Sequence, residues 1–94
     1  MKMSKIEDYE KELEKVRFTP EEREFFTGLG FRQSFCNVYW LDSLYGKMTI
    51  VKNPRGASVF VYANTTPLKK PPVVNHPSAV EAYHLFMKRL ERVR

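Results

Sequence analysis

One cysteine, one tryptophan, two histidines and four glycines among 94 residues leave little material for several kinds of chemistry. Cys36 has no partner for an internal disulfide, which fits a reducing compartment and an expected cytoplasmic location. Cys36, His76 and His84 show no C-x-x-C or H-x-x-x-H spacing, and Glu81 one turn before His84 makes a pair with no third ligand. No metal or other cofactor is therefore expected. The glycines form neither a phosphate-cradling loop nor a dinucleotide fingerprint, and no G-x-S-x-G elbow is present. The longest unbroken apolar run, Val59 to Ala63, is five residues, far short of a membrane span. The first residues, Met-Lys-Met-Ser-Lys-Ile-Glu-Asp, lack the apolar stretch of a secretory signal, so no membrane partner is expected.

Acidic residues are also scarce, but only in part of the chain. Residues 1–27 carry six Lys/Arg against eight Asp/Glu, a balance of −2. Residues 28–94 carry ten Lys/Arg against three acids (Asp42, Glu81 and Glu91), a balance of +7. Such a surplus sets up a positive field that attracts polyanions, and nucleic acid gains further because each neutralised phosphate releases counterions. The same surplus also serves solubility in proteins that bind no polyanion.

The length suits one domain, residues 1–94, with a single core. Ser4 and Glu7 have capping-box spacing, and Ile6, Tyr9, Leu13 and Val16 follow at 3-4-3 intervals, so residues 1–18 are expected to form an amphipathic helix. Its seam, residues 6–16, could dock on the core or pair with a protein partner or a second copy of the chain. A short helix should begin at Thr19-Pro20-Glu21-Glu22, carry Phe25, Phe26 and Leu29, and stop at Gly28 or Gly30.

From Phe31 the period shortens. Phe31 to Leu41 reads as one strand with Cys36, Val38 and Trp40 on one side and Phe35, Asn37 and Tyr39 on the other. Residues 47–52 and 57–63 read as a hairpin around Asn53-Pro54-Arg55-Gly56, a type I turn followed by a bulge. That register sets Ile50 beside Phe60 and Met48 beside Tyr62, with these four as the core face. Residues 64–76, with three prolines and Lys69-Lys70, read as a long loop. Ser78 and Glu81 cap a final helix whose inner stripe is Val80, Tyr83, Met87 and Leu90, widened by Ala79, Phe86 and Val93. The expected fold is α+β in the order α-α-β-β-β-α, a three-stranded antiparallel sheet with helices packed on one face.

This reading leads to a small, basic, non-enzymatic nucleic-acid-binding protein, for DNA or RNA. Its phosphate contacts would come from Lys47, Lys52 and Arg55 around the hairpin, from Lys69 and Lys70 in the loop, and from Lys88, Arg89 and Arg92 on the last helix. Phe35, Tyr39 and Tyr45 could stack on unpaired bases. The plainer alternative for each group is a solvated turn tip, a core aromatic, or a helix end whose cations complement its dipole. A second function class is a regulatory module, viral or host, that grips an acidic protein partner. A third is a small metal-independent ribonuclease drawing on His76, Arg55, Lys52 and Tyr39, which requires those residues to converge.

Overall fold

The computed structural model describes residues 11, 16–62 and 72–93. The expected first helix, with its 6–16 seam, falls largely outside these residues, and so do Lys69 and Lys70. Within them the chain runs through helix α1 (Pro20–Gly28), strands β1 (Arg32–Phe35), β2 (Val38–Ser43), β3 (Gly46–Asn53), β4 (Gly56–Tyr62) and β5 (Val74–His76), and helix α2 (Ala79–Val93). The class is α+β as expected, but the sheet has five antiparallel strands in the order β1-β2-β3-β4-β5, not three.

Helix α1 begins as its residues dictate. The Thr19 hydroxyl accepts from the Glu22 amide at 3.1 Å, and the Glu22 carboxylate accepts from the Thr19 amide at 2.8 Å. Pro20 follows at the first helical position, where no N–H is needed. The helix ends through paired bonds from the Phe31 amide to the Phe26 carbonyl (2.9 Å) and from the Gly30 amide to the Thr27 carbonyl (3.0 Å). Gly30 supplies the positive φ, 100°, that this ending requires.

The single strand expected over Phe31–Leu41 is two strands. Asn37 turns the chain: its side-chain amide donates to the Lys52 carbonyl at 3.1 Å, while the Lys52 amide donates to the Asn37 carbonyl at 2.8 Å. Cys36, expected on the Val38–Trp40 side of a strand, is instead exposed beside that turn. Phe35 pairs with Val38 after a register shift and so comes onto the face of Val38 and Trp40.

The β3–β4 hairpin forms, but one residue away from the expected register. Asn53 pairs directly with Gly56 across the Pro54-Arg55 loop, so no bulge residue is inserted, and Ile50 lies opposite Val59 and Met48 opposite Val61. Side chains alternate along a strand, so a one-residue slip moves them all to the other face. Ala57 and Val59 are therefore buried with Met48 and Ile50, and Phe60, expected in the core, lies on the opposite face. The end of the expected 64–76 loop is also a strand. β5 covers the backbone of β4 along Ala57–Val59, which would otherwise be an open edge, and buries Val74.

One core lies between the sheet and the helices, holding Tyr39, Met48, Ile50, Ala57, Val59 and Val74 from the strands. The helices contribute Phe26, Ala79, Ala82, Phe86 and Leu90. Helix α2 rests chiefly on β4 and β5 with Ala79, Ala82, Phe86 and Leu90 innermost. Val80, Tyr83 and Met87, expected on that stripe, are only partly buried at its flank. Phe26 is the aromatic hub, with ring centroids 5.9 Å from Phe18, 5.5 Å from Phe31, 6.1 Å from Tyr39 and 6.0 Å from Tyr83. Full burial of a side chain of this size is worth about 1.5–3 kcal/mol, and edge-to-face partners add to it.

Candidate functional site on the open sheet face

Because both helices pack on one side, the residues alternating with the core set lie on a face that neither α1 nor α2 covers. Strand register aligns them in rows. One row runs Arg32–Trp40–Thr49–Phe60 across β1 to β4, and the next runs Phe35–Val38–Val51–Ser58–Asn75 across all five strands. A third places Asp42 opposite Lys47. With strands about 4.8 Å apart, Trp40 and Phe60 are separated by about 10 Å at the backbone, with the smaller Thr49 between them.

That size difference creates a trough of about 430 Å³, lined by Phe35, Val38, Trp40, Lys47, Thr49 and Phe60 together with Ser34. Thr49 is buried, and its hydroxyl donates to the Lys47 carbonyl at 3.1 Å, so the middle of the row offers no unpaired hydroxyl hydrogen. Phe35 is 70% exposed. The Lys47 ammonium sits 4.2 Å from the Trp40 ring centroid and the Arg32 guanidinium 5.9 Å from it. A cation over an indole face is attracted by the ring quadrupole, and this attraction holds the indole in place while leaving the charge in reach of an anion. Among the described residues the face is thus aromatic, shallow and flanked by two cations, with Asp42 as the acid on the same side.

The phosphate contacts expected from the sequence are scattered. Lys47 belongs to the trough. Lys52 does not: its ammonium donates to the Glu22 carboxylate at 2.7 Å and to the Arg17 carbonyl at 2.9 Å, and lies 5.8 Å from the Phe18 ring centroid. Both side chains of the Lys52–Glu22 pair are only 15% exposed, so this lysine joins α1 to β3 and is not presented to a ligand. Arg55 is exposed at the hairpin tip, near His76 and away from the trough. Lys88, Arg89 and Arg92 are exposed on α2, on the helix side of the sheet, and Arg89 donates to the Val73 carbonyl at 3.2 Å. One ligand lying flat on the open face does not reach these helix cations.

The expected stacking residues divide in the same way. Phe35 is on the open face, but Tyr39 is 1% exposed within the aromatic cluster, and Tyr45 packs against the core. Tyr39 cannot stack on a base in this fold, and Tyr45 is half-buried. The set proposed for ribonuclease chemistry does not converge: Arg55 and His76 share a concavity, whereas Tyr39 is in the core and Lys52 is held at Glu22. Sequence reasoning missed Trp40, Phe60 and Arg32. The available signal was the alternation of Trp40 with Tyr39, but it needed the strand register to say which of them faces the helices.

Among the described residues no group of three or more His, Cys, Asp or Glu side chains could hold a metal ion. No described helix is long and apolar enough to cross a membrane. Tyr83, flanked by Phe25, Phe26, Phe31 and His84, has its phenol pushed above its ordinary ionisation range by burial. No protein-family model, no curated protein and no solved structure matches the chain.

Proposed function

We propose that the protein binds single-stranded nucleic acid, DNA or RNA, on the open face of its sheet, and that it does so without catalysing a reaction. The observation that carries this reading is the Trp40–Thr49–Phe60 row, an aromatic trough with Lys47 and Arg32 beside the indole. Unpaired bases have π-faces that stack on aromatic side chains, and each such contact is worth about 1–3 kcal/mol. The two cations meet the backbone phosphates on either side of a stacked base. Duplex DNA hides those π-faces, so a platform of this kind prefers single strands. The excess of positive charge over residues 28–94 favours encounter with any polyanion.

Trp40 is the single tryptophan of the chain, which makes its emission a reporter of the site. Titration with a single-stranded oligonucleotide is expected to quench that emission saturably, and a duplex of equal length to quench it much less. By anisotropy of a labelled strand, Trp40→Ala is expected to weaken binding about tenfold or more, the loss of one stacking contact. Unchanged emission at low salt, or equal affinity of parent and Trp40→Ala, refutes the reading. An acidic protein that quenches Trp40 where nucleic acid does not would assign the face to a protein partner.

A further inference from the structure

A second concavity lies at the tip of the β3–β4 hairpin, apart from the aromatic trough. Its volume is about 370 Å³, and its lining includes Asn53, Arg55, Gly56, Asn75 and His76. Three stretches meet there: the hairpin turn, strand β5, and the turn from β5 into α2. They meet closely because of Gly56. A Cβ at that position would strike the His76 carbonyl oxygen and come within 2.7 Å of the Pro77 Cα. Its φ of 149° is also one that other residues rarely adopt. The missing side chain brings Arg55 next to Asn75 and His76.

The internal hydrogen bonds of this corner engage its side-chain acceptors and leave its side-chain donors free among the described residues. The Asn53 side-chain carbonyl accepts from the Arg55 amide at 2.9 Å. The Asn75 side-chain carbonyl accepts from the Ser58 hydroxyl. The His76 Nδ1 accepts from the Ser78 amide at 3.0 Å, which places the hydrogen of the neutral ring on Nε2. What remains is the Arg55 guanidinium, the two Asn NH₂ groups and the imidazole Nε2–H. Among the described residues none of these four has a hydrogen-bond partner, and no Asp or Glu lines the concavity.

A concavity lined by a guanidinium and three further side-chain N–H donor groups, with no carboxylate among its lining residues, complements an oxyanion. A carboxylate holds its two oxygens and their lone pairs close to one plane, whereas these donors arrive from separate segments. A tetrahedral oxyanion has oxygens for all of them, and the planar guanidinium grips two of its oxygens at once. We infer that this corner is a phosphate-binding site held by Arg55, Asn53, Asn75 and His76. The site stands independently of the trough and of whether single strands bind there. Its phosphate can be a free phosphorylated small molecule or part of a nucleic-acid strand, since both present the same oxygens.

Two-dimensional ¹H–¹⁵N NMR of the full chain tests the inference, with sodium chloride at matched ionic strength as the reference. The three probes are inorganic phosphate, a nucleoside 5′-monophosphate, and an oligonucleotide with no terminal phosphate. Saturable shifts centred on the amides of Arg55, Gly56, Asn75 and His76 are expected. A response to the first two probes assigns the site to a phosphate monoester, and a response confined to the oligonucleotide assigns it to the backbone. Arg55→Gln, at an exposed turn position, is expected to raise the apparent dissociation constant at least tenfold while the rest of the spectrum stays unchanged. Asn75→Asp, which replaces a donor with an anionic acceptor, is expected to abolish the response. Absence of shifts beyond the chloride reference with all three probes, or equal affinity of Arg55→Gln and parent, overturns the site. Trp40 emission in the oligonucleotide titration reports on the trough separately, so failure of one site is distinguishable from failure of the other.

Discussion

Replacement of Lys52 by methionine separates a structural lysine from a phosphate contact. In the fold its ammonium bonds the Glu22 carboxylate at 2.7 Å and the Arg17 carbonyl at 2.9 Å, with both side chains of the ion pair 15% exposed. Methionine keeps the apolar stem beside Phe18 and removes the charge. The Glu22 carboxylate then keeps its bond from the Thr19 amide but loses its cation, and the Arg17 carbonyl loses a donor. A hydrogen bond to a charged group is worth about 1.5–3 kcal/mol, and screening by the remaining solvent contact places the expected loss near the lower part, about 2 kcal/mol. With a urea m-value of about 1 kcal/mol/M for a small domain, the unfolding midpoint falls by about 2 M. Affinity for single-stranded nucleic acid, measured under conditions where the variant is folded, is expected to stay the same. Its salt dependence should also be unchanged, whereas loss of a real phosphate contact would reduce the log–log slope by about 0.7 for a single strand. A midpoint within about 0.3 M of the parent, together with a flatter salt dependence, would refute the structural role and restore Lys52 as a phosphate ligand.

Gly56→Ala is expected to cost about 2–3 kcal/mol, because the added Cβ meets the His76 carbonyl and the Pro77 backbone while φ is 149°. Thermal unfolding should show it as a fall of about 10–20 °C, and a change under about 3 °C would contradict the close approach at that corner. Tyr83 titrates above its ordinary pKa of 10.0 because burial disfavours the phenolate. Between the unfolded and the raised folded value the folded state holds more protons, so the stability present below that window is lost as pH rises through it. Tyr83→Phe should therefore lose less stability than the parent between neutral pH and the region above pH 10, as read from urea midpoints at several pH values. Parallel pH profiles would remove Tyr83 as the source.

Much of the local structure was legible in short stretches of sequence. Thr19-Pro20-Glu21-Glu22 starts a helix because hydroxyl, carboxylate and proline each satisfy a need of its first turn, and those bonds are formed. Gly30 ends that helix, Asn53-Pro54-Arg55-Gly56 reverses the chain, and Ser78 opens the last helix through the Glu81 amide. The α+β class follows from the change of hydrophobic period after Phe31. By contrast, the strand pattern over Phe31–Leu41 gave no sign of the break at Asn37, because the bonds that make it are to Lys52, far along the chain.

What the sequence by itself determined, then, is the set of elements whose causes lie within a few residues: caps, turns, the amphipathic last helix and the basic surplus of residues 28–94. Tertiary structure decided which face each side chain occupies. A loop with no bulge residue moved Phe60 out of the core and Val59 into it, and β5 pairs with the edge of β4 and buries Val74. Lys52 became a strut, Tyr39 a core ring, and Trp40 the centre of an open aromatic face. The physical reason is the two-residue period of a strand. Composition says how many aromatics and cations exist, but only the pairing register, set by contacts distant in sequence, says which of them face the helices and which remain available to a ligand.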